Sequence, residues 1–238
     1  MDAWCRDPLK VMRVVARGDR QAPVRLHHRG PLLQGPSHVP ECRRRHGESE
    51  GLHVEAAVSV AGAWTSGRPV SMSWLAQAMG GGDASGVPAW ISDDGTLALT
   101  NGQGHAVCAT GRHRVALEGI AWRTGDSQVL TAQEVASWIA GEGLLAALRG
   151  MDGAFVLVHW DAVRRELSCA RDPSGQRMLF YGWMGGKFAF ASSLHGLRQD
   201  PDFDGRIDYG VLALFLRHGY VPAPHCIHAG FFKLSAGR

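Results

Sequence analysis

Long hydrophobic runs are missing from this 238-residue chain. None approaches the roughly eighteen apolar residues of a membrane-spanning helix. Met1–Gln21 alternates in charge where a secretory leader would carry an apolar centre. The chain is therefore expected in the cytoplasm, with no membrane partner. Cysteine is sparse: Cys5, Cys42, Cys108, Cys169 and Cys226 are scattered and odd in number, never at C-x-x-C spacing, which argues against a disulfide framework or a zinc site. The twelve histidines supply no three ligands with a carboxylate on one element, although His27 adjoins His28 and His225 lies near His228; they read as loop residues, and no metal is expected. Charge of one sign is also lacking. The formal net charge is +3, the excess falls within the first 57 residues, and no nucleic-acid partner is implied. Gly80-Gly81-Gly82 is not followed by G-K-S/T, so it reads as a helix stop rather than a phosphate loop.

What is present is an ordinary globular composition, 45% hydrophobic and 20% charged, in a chain long enough to bury a sizeable core. Residues 1–53 stand apart. They are rich in Arg, His, Pro and Gly and have no apolar period longer than a turn, apart from Leu9–Val15; such a segment cannot offset its ordering entropy and is expected to be disordered. Arg43–His46 has no interleaved aromatics and reads as a solvated tail. The globular part, 54–238, begins with an apolar strand from Val54 to Gly62. A turn and a helix over Met72–Met79 follow, then a hairpin through Asp93-Asp94-Gly95, and strands over His105–Thr110 and Val115–Ala121. Thr131 and Glu134 are placed as a capping box, and Asp208 as the cap of a helix that Gly219 stops, whose Leu212, Phe215 and Leu216 point one way and are expected to cover the sheet.

Met151 to Ser193 organises the rest. Ala154, Val156, Val158 and Trp160 alternate with Phe155, Leu157 and His159, and both sets are mostly apolar, so this strand is covered on both faces. Polar turns lead into Leu167–Arg171 and then Phe188–Ala191, making an antiparallel meander. DGAFVLVHWD, ARDPSGQRMLFYGW and KFAFASSLHGL, in this order, resemble the late strands of the glutaminase domain of glutamine-hydrolysing asparagine synthetases. HGYVPAPHCIHAGFFKLSAGR is similar to the same family's G-Y-V-P-x-P turn and K-L-x-P-G-x hairpin. The last ninety or so residues carry the likeness closely and the earlier part loosely. HRGP at 28–31 precedes the first strand instead of following it, and is a coincidence of composition.

The resemblance implies an α+β fold, a four-layer αββα sandwich of two antiparallel sheets as in N-terminal-nucleophile hydrolases. It also implies a catalytic cysteine opening the first strand, with its own amine as base. Aligning Val58-Ser59-Val60-Ala61-Gly62 with the family's C-G-I-A-G places Val58 at the nucleophile position, behind 57 further residues. Valine has no nucleophile. If translation began at Val58, loss of the initiator would expose Ser59, a substitute one residue out of register. The family's Arg after the hairpin is not matched at 101–104, which reads Asn101-Gly102-Gln103-Gly104, and its oxyanion-hole Asn is not matched at 116–121, which reads Ala116-Leu117-Glu118-Gly119-Ile120-Ala121. Asp126 resembles the Asp that holds the glutamine amino group, though at longer spacing, and otherwise reads as a turn or cap aspartate. Lys233 resembles a hairpin lysine and otherwise reads as an exposed charge. The family's pyrophosphate loop S-G-G-x-D-S does not occur, so ATP and magnesium would belong to a synthetase domain or subunit outside this sequence. Three readings stay open: an asparagine-synthetase-like amidotransferase with a damaged glutaminase site, the scaffold domain of an ATP-dependent cyclase such as a β-lactam synthetase or lasso-peptide macrocyclase, and a non-catalytic interaction module.

Overall fold

The structure is a computed structural model, and it describes residues 11–15, 60–65, 70, 89–101 and 107–236. The strands β1 (Met12–Val15), β5 (Cys108–Thr110), β6 (His113–Arg123), β7 (Met151–Asp161) and β8 (Glu166–Arg171) form one sheet in the order β1-β8-β7-β6-β5. The second sheet contains β2 (Val60–Trp64), β3 (Ala89–Ile91), β4 (Leu97–Asn101), β9 (Phe180–Met184), β10 (Lys187–Ala191) and β11 (Phe231–Lys233) in the order β11-β9-β10-β2-β4-β3. Every pairing is antiparallel. The helices are α1 (Ala132–Glu142), α2 (Leu144–Arg149), α3 (Leu194–Arg198) and α4 (Tyr209–His218). No helix among the described residues is long and apolar enough to cross a membrane.

The period-two alternation of the strands sorts their side chains into three cores. Val156, Val158 and Trp160 of β7 meet Phe188 and Phe190 of β10 and Trp64 of β2 between the sheets. Phe155 and Leu157, pointing the other way, pack under Val135 and Ile139 of α1 and Leu148 of α2. On the far side of the second sheet, Ala61, Ala63, Ala189 and Ala191 meet Leu197 of α3. Three apolar layers between helix, sheet, sheet and helix make the fold an α+β sandwich. The middle layer is aromatic: Phe188 sits 6.1 Å, centroid to centroid, from both Tyr181 and Phe190. Gly62 makes room for it, because a Cβ there would stand 2.3 Å from the Phe190 ring.

Local chemistry closes the elements. The Thr131 side chain accepts from the Glu134 amide at 3.2 Å while Glu134 Oε2 accepts from the Thr131 amide at 2.7 Å, the reciprocal capping box expected. In the β3–β4 turn, Asp94 Oδ1 accepts from Ser92 Oγ, Thr96 Oγ1 and the Thr96 amide. Burial raises the Asp94 carboxyl pKa, but these bonds and the Arg165 charge outweigh it and bring it down to about 2.

Four expectations are corrected. Leu167–Arg171 and Phe188–Ala191 do not continue one meander: β8 stays in the first sheet, while β10 lies in the second between β9 and β2, because Tyr181, Phe188 and Phe190 supply the opposite wall of the inter-sheet core. Met12–Val15, inside the segment expected to be disordered, pairs with Cys169 to Glu166 as an edge strand, because Met12 finds cover in the inter-sheet core. The first core strand runs to Trp64 and not to Gly62, since Trp64 packs between the sheets. On α4, expected to cover the sheet through Leu212, Phe215 and Leu216, only Val211 is buried, and Leu216 is 75% exposed. The rest of residues 1–53, Val58, Ser59, the helix expected at Met72–Met79 and Gly102–Gly104 lie outside the described residues.

Candidate functional site

The first core strand enters the sandwich at Val60, whose backbone is fixed by the end of β10. The Ser192 amide donates to Val60 O at 2.9 Å, and the Val60 amide donates to Ser192 Oγ at 3.3 Å. One strand further along the same sheet end, the Leu234 amide donates to Leu179 O. The other sheet is tied to this end by Arg171, whose Nη1 donates to Leu234 O at 2.6 Å and whose Nη2 donates to Gly175 O. Arg171 pairs with Val156, and Val156 pairs with Glu118, so the three residues form one row across β8, β7 and β6. Through Arg171 that row is tied to Leu234, next to the end of β11 in the second sheet.

Glu118 shares the inner side of β6 with Ala116, which belongs to the inter-sheet core. It is 8% exposed, and its Oε1 lies 3.7 Å from Nη1 of Arg177. A carboxylate in such a place needs a cation or hydrogen bonds to remain ionised. Arg177 is brought to it by the β8–β9 turn, which Asp172 holds. Asp172 is fully buried, and its carboxylate accepts from the Gln176 amide at 2.7 Å, the Arg177 amide at 2.9 Å and Ser174 Oγ at 2.8 Å. Burial pushes the Asp172 carboxyl up, but these bonds and the Arg171 charge prevail and hold it below the usual carboxylate range. The β8–β9 turn is thus held from within by Asp172, with Arg171 spanning the two sheets.

Beside Glu118 the backbone is forced. Gly119 has φ +95°, and a Cβ there would fall 2.1 Å from Ala154 O. Only glycine fits this conformation and this approach. Gly153, diagonally across on β7, has φ +127° and the same constraint against Ile120 O at 2.3 Å.

Asp126 lies elsewhere. Glu118 and Arg123 are five residues apart on β6, about 16 Å at the rise of a strand, and Asp126 follows in the loop to α1. Its Oδ1 accepts from the Gln128 amide at 3.1 Å, a turn contact. It lines an open groove of about 480 Å³ with Gln128, Gln133 and Trp138, on the outer side of α1. Lys233 is not the exposed charge of the plainer reading: its Nζ donates to Val221 O at 2.5 Å, and burial lowers its pKa. Among the described residues, no three His, Cys, Asp or Glu side chains gather into a group able to hold a metal ion.

A family model described as a glutamine amidotransferase domain matches residues 88–238, which include Glu118, Gly119, Arg171, Asp172 and Arg177. The chain belongs to this family. Among curated proteins, this amidotransferase-family chain is similar to a protein described as "Putative asparagine synthetase [glutamine-hydrolyzing]" in Mycobacterium tuberculosis. The two are 40% identical over 100 residues, covering 41% of this chain and 15% of the relative. The Methanocaldococcus jannaschii protein described as "Putative asparagine synthetase [glutamine-hydrolyzing] 2" is 26% identical over 91 residues, 37% of this chain and 18% of the relative. The match thus spans less than a fifth of the length of these relatives. The solved glutamine phosphoribosylpyrophosphate amidotransferase from B. subtilis overlaps 60% of this chain and 37% of its own, at 18% identity and a TM-score of 0.36. The fold assignment rests on the two sheets and three cores described above.

Glu118, Gly119 and Arg177 were the residues that sequence reasoning did not assemble. Glu118 left one signal, a carboxylate on the inner face of an otherwise apolar strand. Arg177 left none, because its reach to Glu118 depends on the fold of the Asp172 turn.

Proposed function

We propose that this chain is an asparagine-synthetase-like amidotransferase domain that does not hydrolyse glutamine. The observation that carries the reading is Glu118 beside Gly119. In the resemblance, this place should present an Asn side chain and a Gly amide to a developing oxyanion. Loss of one such donor costs about two to three powers of ten in rate. A carboxylate is worse than a missing donor, since it repels the negative charge that forms. Val58 at the nucleophile position supports the same conclusion.

In this reading the domain serves as a scaffold for a synthetase domain or subunit, fused or separate, acting in the cytoplasm. ATP and magnesium belong to that partner. The relatives support a partner of this kind, being asparagine synthetases much longer than the matched stretch. A cyclase-type synthetase, of the β-lactam or lasso-peptide kind, is the second reading; a valine in place of the nucleophile favours it. Asp126 is the residue that would hold an amino group if an amino acid enters its groove. The test is release of glutamate and ammonia from glutamine by the purified chain. None above the blank is expected. Release that disappears in Ser59→Ala would overturn the reading and assign Ser59 as nucleophile.

A further inference from the structure

The outer side of β8 is closed by a strand from outside the matched stretch. The family match begins at residue 88, whereas β1 lies at Met12–Val15 and reaches β2 only through residues 16–59. It runs antiparallel to β8, with Met12 opposite Cys169, Arg13 opposite Ser168 and Val15 opposite Glu166. Leu167 to Arg171 of β8 are all buried, none above 6% exposure, so this edge could not stand bare in water without cost. β1 covers it on both faces. Met12 joins the core between the sheets, and Val11, just before the strand, packs against the core under α1.

β1 is nonetheless held weakly, on two counts. It is a four-residue strand paired on one side only, the kind of element that opens well below the global unfolding free energy. Its docking also coincides with a stranded hydroxyl: Ser168, opposite Arg13, is 1% exposed, and its Oγ is buried with no hydrogen-bond partner among the described residues. An unpaired buried hydroxyl opposes closure, and release of β1 would let water reach it. What β1 covers leads straight to the site. Cys169, the partner of Met12, is followed by Ala170, Arg171 and Asp172. Arg171 donates to Leu234 O, and Leu234 shares the inter-sheet core with Met12. Asp172, through the amides of Gln176 and Arg177, sets the turn that brings Arg177 to Glu118. We infer that β1 is a strap: docked on β8 it holds Arg171 and the Asp172 turn in place, and its release loosens that turn while the rest of the sandwich stays folded. The inference goes beyond the glutaminase reading and does not depend on it.

The test is thiol labelling of the purified full chain under native conditions, mapped by peptide mass, with amide hydrogen exchange read in parallel. Cys169 is fully buried and burial pushes its thiol up, so it reacts only when β8 is uncovered. Cys226, 3% exposed and packed on the far side of the second sheet, reports opening of the whole fold. Met12→Asp should speed Cys169 labelling by at least about tenfold and raise exchange at the Gln176 and Arg177 amides, with Cys226 unchanged. Met12→Ala, a gentler release, should show the same pattern at smaller amplitude, and Met12→Leu, which keeps the buried volume, should behave as wild type. A peptide spanning Leu9–Arg17, added at about 1 mM to replace the tethered strand, should slow Cys169 labelling in Met12→Asp. Cys169 labelling that neither Met12→Asp nor Met12→Ala changes, or that rises together with Cys226 in both, overturns the inference. Faster Cys169 labelling with no change at the Gln176 and Arg177 amides overturns it as well.

Discussion

Replacing Asp172 by alanine should unsettle both the β8–β9 turn and the Glu118–Arg177 pair that depends on it. The carboxylate is fully buried and accepts three hydrogen bonds, from the amides of Gln176 and Arg177 and from Ser174 Oγ. Each donor stranded away from water costs about 1–3 kcal/mol. Water can reach part of this turn, so the low end of the range applies. The buried Arg171 guanidinium beside it also loses its counter-charge. The sum is about 3–5 kcal/mol, which for a domain of this size lowers Tm by roughly 10 °C. The pH dependence has a definite sign. The folded carboxyl lies below its ordinary value, so its contribution is complete above the unfolded pKa of about 4 and is lost as pH falls through the folded value. Melting curves by circular dichroism at pH 7 and pH 3 should show a wide gap between wild type and Asp172→Ala at neutral pH and a narrower one in acid. A Tm change under about 3 °C at pH 7, or a gap that does not narrow, would refute the reasoning.

Lys187 offers the opposite sign. It is 7% exposed, and its Nζ lies 2.8 Å from Asp200 Oδ1 and 2.7 Å from Asp202 Oδ2. Burial lowers its pKa, but the two carboxylates outweigh that and raise it. Its contribution is complete below the ordinary lysine value, about 10.4, and is lost as pH rises through the folded one. Lys187→Met should cost about 3–5 kcal/mol by leaving Asp200 buried without its cation. In an alkaline titration followed by fluorescence, wild type should lose stability above that range more steeply than the variant. Gly119→Ala should destabilise by roughly 3 kcal/mol or more in urea, combining an unfavourable φ with a clash against Ala154 O; Gly111→Ala, also at positive φ but in open space, should cost about 1 kcal/mol.

The parts of the fold written in local patterns were legible. The β7–β8 hairpin follows from alternation in MDGAFVLVHWD and the capping box of α1 from Thr131 and Glu134, whereas the place of β10 does not, since it lies beside β9 in the other sheet. Met12–Val15 was not legible, because a four-residue strand in a polar segment is stabilised only by the β8 edge and the inter-sheet core it meets. The α4 pattern was read correctly as helix, but its period does not say which apolar side finds the sheet; Val211 does, while Leu216 does not. The site was legible as a set of mismatches to a family pattern. That Glu118 meets Arg177 was not, since 59 residues separate them and the Asp172 turn sets the distance.

The central claim is that no nucleophile stands ready for glutamine at this end of the sandwich. The most direct measurement is intact mass after exposure to a glutamine-shaped diazoketone, which alkylates a nucleophile where glutamine binds. The account predicts no adduct that excess glutamine suppresses. A single adduct blocked by glutamine and mapped to Ser59, or to any residue leading into β2, would contradict it.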